Sequence, residues 1–369
     1  MWLSVLLLAL AMAAHAGVFP GATWQTKTPA EVGLDAGKLA DIATYLGGRG
    51  CITRYGYMVY TWGDPTSRRD VASACKPWFS HFLFEAVEDG TLPGDTQKVE
   101  LFEPRLHDLN AGLGYKDRDI EWWHLANQCS CYGVREDPAA AYDYSDYNMA
   151  LFFDTLFLNV YSSTWTTVDA EVLHPMLTDV LQCEDTPTFM AFGTGDRPGR
   201  VGVSARDFCR FGLLYLNKGD WNGTRLLAAS NATKAVTSPL PNSIPRTLGQ
   251  SAEMISGQRS IGGGNNQTDH NGSYSYAWWL NGVDRDGNRV WPDAPHDVYT
   301  CLGHTNGKRG MGVMPSLDIV LSWNDTSLDS RPCPPHPLNT VFKLLVEADM
   351  NSDDTPPAAP GGLAVSHLP

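Results

Sequence analysis

Ala72-Ser73-Ala74-Cys75-Lys76-Pro77, running on into Trp78-Phe-Ser-His-Phe-Leu-Phe-Glu-Ala-Val-Glu88, is the stretch on which the reading of this chain turns. The apolar run predicts a helix over Lys76–Glu88, closed by Asp89-Gly90, a C-terminal stop signal. Ser73 precedes Lys76 by three positions, so both side chains fall on one helical face, one turn apart. A serine hydroxyl becomes a nucleophile only beside a base. A lysine buried against apolar walls or other cations gives up its proton more easily and serves as that base. The first-turn amides and the positive end of the helix dipole stabilise an oxyanion formed there. The same spacing also fits an N-cap serine followed by a solvated lysine, so the pair alone does not decide.

Two further elements carry chemistry. Tyr144-Ser145-Asp146 stands just before an apolar run, Tyr147-Asn-Met-Ala-Leu-Phe-Phe153. A loop tyrosine there reaches a cleft, and its phenol exchanges a proton with Ser and Lys when an ammonium steadies it. The competing reading makes Asp146 the N-cap of the next helix. Gly303-His304-Thr305-Asn306-Gly307 precedes a strand-like run, Met311–Trp323. A basic residue on an edge strand beside the nucleophile would hold a substrate carboxylate or relay protons, and following amides would complete an oxyanion hole.

The rest of the chain frames these elements. Its 369 residues are 43% hydrophobic and 18% charged, enough for a large core. The net charge of −14 argues against nucleic acid or an anionic membrane surface as partner. Residues 1–16 form a short apolar run ending in Ala14-His-Ala16, read as a cleaved signal peptide, with an uncleaved anchor as the alternative. Eight cysteines and five Asn-x-Ser/Thr sequons suit an exported, oxidising setting, secreted or periplasmic, with disulfides of unassigned connectivity. Zinc at Cys129-x-Cys131 is set aside for want of a second ligand pair. Asp284-x-Asp-Gly-Asn288 reads as a hairpin turn rather than a calcium loop, Gly262-Gly-Gly264 lacks the lysine of a phosphate loop, and His124 reads as structural.

The order Ser-x-x-Lys, Tyr-Ser-Asp, Gly-His-Thr-x-Gly resembles the β-lactamase-related serine hydrolases: class C β-lactamases, D-Ala-D-Ala carboxypeptidases, family VIII esterases and nylon-oligomer hydrolases. The resemblance extends over most of the chain. It includes Pro29-Ala-Glu-Val-Gly-Leu-Asp-Ala-Gly-Lys-Leu39, Ala205-Arg-Asp-Phe-Cys-Arg-Phe-Gly212, Tyr276-Ala-Trp-Trp-Leu280 and Pro315-Ser-Leu-Asp-Ile-Val-Leu321. It implies Ser73 as the acylated nucleophile, Lys76 as proton acceptor and Tyr144 as general base or acid. Asp146 would contact substrate, and His304 would replace a lysine. The oxyanion hole would use the amides of Ser73 and of a residue near Gly307. Cys75 and Asn306 depart from the pattern: Asn306 stands where a glycine lets the strand approach the nucleophile, and the third motif aligns in two ways.

The expected fold is an α/β (α+β) β-lactamase/penicillin-binding-like one. An antiparallel sheet is built from both chain ends (about 17–75 and 270–350) and flanked by helices, with a helical lobe (about 76–269) inserted and a Pro/Gly-rich tail at 351–369. The expected activity is hydrolysis of an ester or amide of a small molecule or peptide through an acyl-enzyme, needing no cofactor or metal. The alternative is an inactive relative that uses the cleft for binding.

Overall fold

Two positive-φ residues, Tyr55 (54°) and Gly56 (78°), turn the chain between its first two strands. This backbone matches the right-handed twist of an antiparallel pair. The computed structural model describes residues 18–193 and 195–350; the expected leader 1–16 and tail 351–369 lie outside them. The strands are β1 (Arg49–Arg54), β2 (Tyr57–Trp62), β3 (Arg69–Asp70), β4 (Thr188–Ala191), β5 (Pro198–Val203), β6 (Asp220–Trp221), β7 (Thr224–Arg225), β8 (Tyr274–Ser275), β9 (Trp278–Leu280), β10 (Tyr299–Gly303), β11 (Arg309–Met314) and β12 (Ile319–Asn324). The α-helices are α1 (Ala36–Leu46), α2 (Lys76–Glu88), α3 (Trp122–Ala126), α4 (Asp146–Phe153), α5 (Ala205–Leu216), α6 (Ala229–Ala235) and α7 (Leu338–Ala348).

The main sheet has the order β2-β1-β12-β11-β10-β9-β8, with antiparallel neighbours throughout. It joins the first two strands to the last five, as the sequence led us to expect. Alternation along the strands sends side chains to two cores. Ile319, Leu321 and Trp323 of β12 and Ile52 of β1 pack with Leu39, Ile42 and Leu46 of α1 and Val341, Phe342 and Leu345 of α7. Val320, Cys51, Met311 and Val313 face the other way, onto Phe208, Phe211 and Tyr215 of α5 and Trp78 of α2. No helix among the described residues is long and apolar enough to cross a membrane.

Several local expectations change. The sequence of Asn288–Trp291 reads as strand-like, but it forms no strand: Arg289 makes only an isolated bridge to Val283. Asp284 closes the turn there, its side chain accepting from the amides of Asp286 (3.0 Å) and Asn288 (2.8 Å). The mid-chain segment, read as mostly helical, contains a second sheet of order β3-β5-β4. The eight cysteines are all free thiols. Cys51 and Cys209 meet at 3.4 Å between β1 and α5, a thiol–thiol contact well beyond the about 2.05 Å of a disulfide. The expected disulfides are therefore not formed.

Helix α5 reaches the sheet because position 212 has no side chain. A Cβ there would lie 2.5 Å from Val320 Cγ1 and 2.7 Å from Met311 Sδ. Gly212→Ala is expected to destabilise by about 1–3 kcal/mol through overpacking. Gly112→Ala, where a Cβ meets nothing within 4 Å, should leave thermal melting nearly unchanged; equal melting shifts for the two would contradict this packing account.

Candidate active site

The turn before Ser73 is held from three sides. Asp70 accepts the Ala72 amide at 2.7 Å and pairs with Arg200 (3.0 Å) and Arg309 (3.1 Å). The Val71 amide donates to Val201 at 3.0 Å. Ala72 is thereby kept at φ 51°, a left-handed conformation that costs a non-glycine residue of order 1–3 kcal/mol. Ser73 follows in a short 3-10 turn, Ala72–Cys75, that continues into α2. Strand β10 closes on this turn at Gly303, where a Cβ would fall 2.3 Å from the Val71 carbonyl oxygen. The glycine that permits close approach is therefore Gly303, and the departure at Asn306 leaves that approach intact. Asn306 instead ties down its loop, its amide donating to Asp329 at 3.0 Å.

Ser73 is no N-cap. Val71 holds that position without a side-chain bond, and Lys76 is buried rather than solvated. Lys76 Nζ donates to Ser73 Oγ at 2.7 Å and to Asp146 Oδ1 at 2.8 Å. Asp146 is buried too, and its Oδ2 accepts the Gly263 amide at 2.7 Å. Burial alone would push Lys76 down, but the Asp146 carboxylate reverses this and holds the amine above its usual range. Burial works to raise Asp146, and the Lys76 ammonium, with the Gly263 amide, brings it below the carboxylate range. The base expected from burial is thus an ammonium at rest. Asp146 is not among the residues lining the cavity over Ser73; it is the counter-ion of Lys76. Nor is it the cap of α4, for Ser145 Oγ takes the amides of Tyr147 (3.2 Å) and Asn148 (3.1 Å).

A cavity of about 390 Å³ opens over Ser73, lined also by Tyr144, Trp279, Leu302, His304 and Thr305. Lys76 Nζ lies 4.5 Å from the Tyr144 ring centroid and meets that residue through the ring face. Tyr144 also stacks on Trp279, 5.9 Å between centroids. His304 sits after an interior strand, not on an edge strand, at φ 68°. Burial first, then Arg309, lowers its pKa against the opposing pull of Asp329 at 3.8 Å. Gly307 is not brought to the cavity: its amide turns back to the His304 carbonyl at 3.4 Å. The structure thus gathers Ser73, Lys76, Tyr144, Asp146 and His304, and leaves Gly307 aside.

Sequence reasoning missed the support. Gly263 and the Asp70, Arg200 and Arg309 cluster carried no motif, although the run Gly262-Gly-Gly264 was a visible oddity. That run wraps Asp146: its amide donates to Gly264 at 3.1 Å, beside the Gly263 bond. The cysteine before Lys76 points away from the chemistry. Cys75 Sγ contacts the Gly199 carbonyl at 3.6 Å, and burial pushes its pKa up to about 12 despite Lys76 nearby. His124 lies in α3 with Nδ1 accepting the Glu121 amide at 2.9 Å, and burial lowers it to about 4. Among the described residues no cluster of metal-ligating side chains forms.

No family model and no curated protein matches the sequence. Solved structures do match. A proposed β-lactamase from Bacteroides dorei aligns with a TM-score of 0.61 at 12% identity, over 86% of this chain and 100% of that one. A proposed 6-aminohexanoate-dimer hydrolase from Bacillus anthracis aligns at 0.59 and 12%, over 88% of this chain and 85% of that one. A β-lactamase/D-alanine carboxypeptidase from Pseudomonas syringae aligns at 0.54 and 12%, over 87% and 99% respectively. At this identity the likeness is one of fold. The chain shares the mixed α/β, antiparallel-sheet fold of the β-lactamase and penicillin-binding-like serine hydrolases.

Proposed function

We propose that this chain is a serine hydrolase that cleaves an ester or amide through an acyl-enzyme on Ser73. The observation that carries the reading is the buried chain of hydrogen bonds Ser73–Lys76–Asp146, at 2.7 and 2.8 Å, under a cavity open to Ser73. Ser73 Oγ attacks the substrate carbonyl. Its proton passes to Lys76 as Lys76 hands one to Asp146, so the amine stays charged and the carboxylate becomes neutral. The oxyanion forms beside the first-turn amide of Ser73 and the segment after Gly303. Tyr144, on the cavity wall, donates to the leaving group. Water then cleaves the acyl-enzyme by the same path in reverse order of roles. The resting ammonium of Lys76 also favours a second reading, in which the cleft binds without turnover, because Ser73 then faces a donor.

A fluorophosphonate probe separates the two. It should form one covalent adduct on wild-type protein, mapped to Ser73 by mass spectrometry, and Ser73→Ala should abolish it. A folded, unlabelled wild type leaves the binding reading.

The relay fixes the sign of a pH effect. Asp146 is held below its ordinary 3.8, so the wild-type rate should persist through the acid range and fall only beneath that value. In Asp146→Asn the burial of Lys76 is no longer countered, and the amine must lose its proton to work. Its acid limb should move upward to the lysine's own titration, with kcat/KM at neutral pH lower by about 10²–10⁴, the scale of general acid–base catalysis. A profile superimposable on wild type, with melting unchanged, would remove Asp146 from the proton path.

A further inference from the structure

The cavity over Ser73 has an unusual electrical character. Its lining combines apolar residues, Trp279, Val290, Trp291 and Leu302, with amide and hydroxyl residues, Gln267, Thr268, Asn271 and Ser273. Among the described residues lining it there is no lysine or arginine, and one carboxylate, Asp269. That carboxylate is already matched. Arg285 bonds both of its oxygens, one at 3.3 Å and the other more closely, and the His270 amide donates to it at 2.8 Å. Outside the lining, Lys76 is matched by Asp146, while Arg200 and Arg309 share the single carboxylate of Asp70.

The two imidazoles on the wall add no charge. His336 is half-buried with Nδ1 accepting the Leu338 amide at 3.2 Å, which leaves its proton on Nε2. Burial lowers it to about 4, so it is neutral at pH 7. His304 is lowered in the same direction by burial and by Arg309. A substrate carboxylate entering this cavity finds no lysine or arginine on its lining, and a substrate ammonium finds only a carboxylate already paired with Arg285, whereas an uncharged group loses little hydration and gains the tryptophan surface.

Resting on the serine-hydrolase reading above, we infer that the cavity selects substrates whose groups around the scissile bond are uncharged, neutral acyl esters or amides with an apolar acyl portion, and rejects carboxylate-bearing ones such as penicillins and peptides ending in D-alanine. The acyl portion lies against Trp279 and Trp291, and the Thr268 hydroxyl and Asn271 amide take its polar atoms.

Three 4-nitrophenyl esters of four-carbon acids test this: butyrate (neutral), the succinate half-ester (anionic) and 4-aminobutyrate (cationic). The butyrate should be hydrolysed with kcat/KM at least about tenfold above either charged ester, the size of one uncompensated polar contact. Equal or faster turnover of a charged ester overturns the inference. Calorimetric binding of the matching anilides to Ser73→Ala ranks the same groups without catalysis. Neutral selectivity there, with no turnover by wild type, would refute the hydrolase reading and keep the neutral cavity. Turnover without selectivity would do the reverse. Leu302→Lys, which places a free cation on the wall, should raise the succinate-to-butyrate ratio by a comparable factor, and an unchanged ratio in the folded variant counts against the inference.

Discussion

The buried ion pair between Lys76 and Asp146 is the constraint around which the rest of the site is built. Both side chains are almost fully withdrawn from solvent. Dehydrating two charges is costly, and removing one partner of such a pair typically costs about 3–5 kcal/mol because the other charge is left unmatched. Lys76 stands at the first turn of α2, where the helix dipole is positive and disfavours an ammonium. Asp146 stands at the first turn of α4, where the dipole favours a carboxylate. The Gly263 amide and the Ser145 cap then fix the acid in place. Dehydration and the α2 dipole both push the lysine towards neutrality, and the acid is the main group that outweighs them.

How much of this was legible in the sequence follows from how local each interaction is. Ser73 and Lys76 share one helical turn, so their spacing alone predicts contact. Asp146 was visible as part of Tyr-Ser-Asp, but its role depends on a carboxylate-to-amide bond with a glycine 117 positions away. Nothing in its neighbours says whether it faces the cavity or pairs with Lys76. The glycine run at 262–264 was tested only as a phosphate loop, when its use is to let backbone amides crowd a carboxylate. The third motif failed similarly. Register decides which glycine meets the nucleophile turn, and Gly303 at the end of β10 does so while Gly307 lies past the strand.

The fold was more legible than the site because its signals repeat. Alternation on β12 and the 3.6-residue stripes of α1 and α7 recur over whole elements, and each residue reports the same face. The strands β4, β5 and β10 were not legible. β4 and β10 have four and five residues, too few for a period to declare itself, and β5 contains two glycines that weaken it further. Gly212 shows the opposite case, in which a residue unfavourable to a helix is required by the sheet beneath it.

The ion pair and the uncharged cavity fit one electrostatic argument. In the proposed relay the resting negative charge sits on Asp146, and in the tetrahedral intermediate it sits on the substrate oxygen while Asp146 is neutral. Lys76 lies between the two ends, within 2.8 Å of both Asp146 and Ser73. The negative charge moves across a cation that stays in place, and no new net charge is created in a poorly hydrated site. Creating one would be expensive there, since charge interactions at low effective dielectric are several times those in water. An enzyme working this way needs no positive group from the cavity wall.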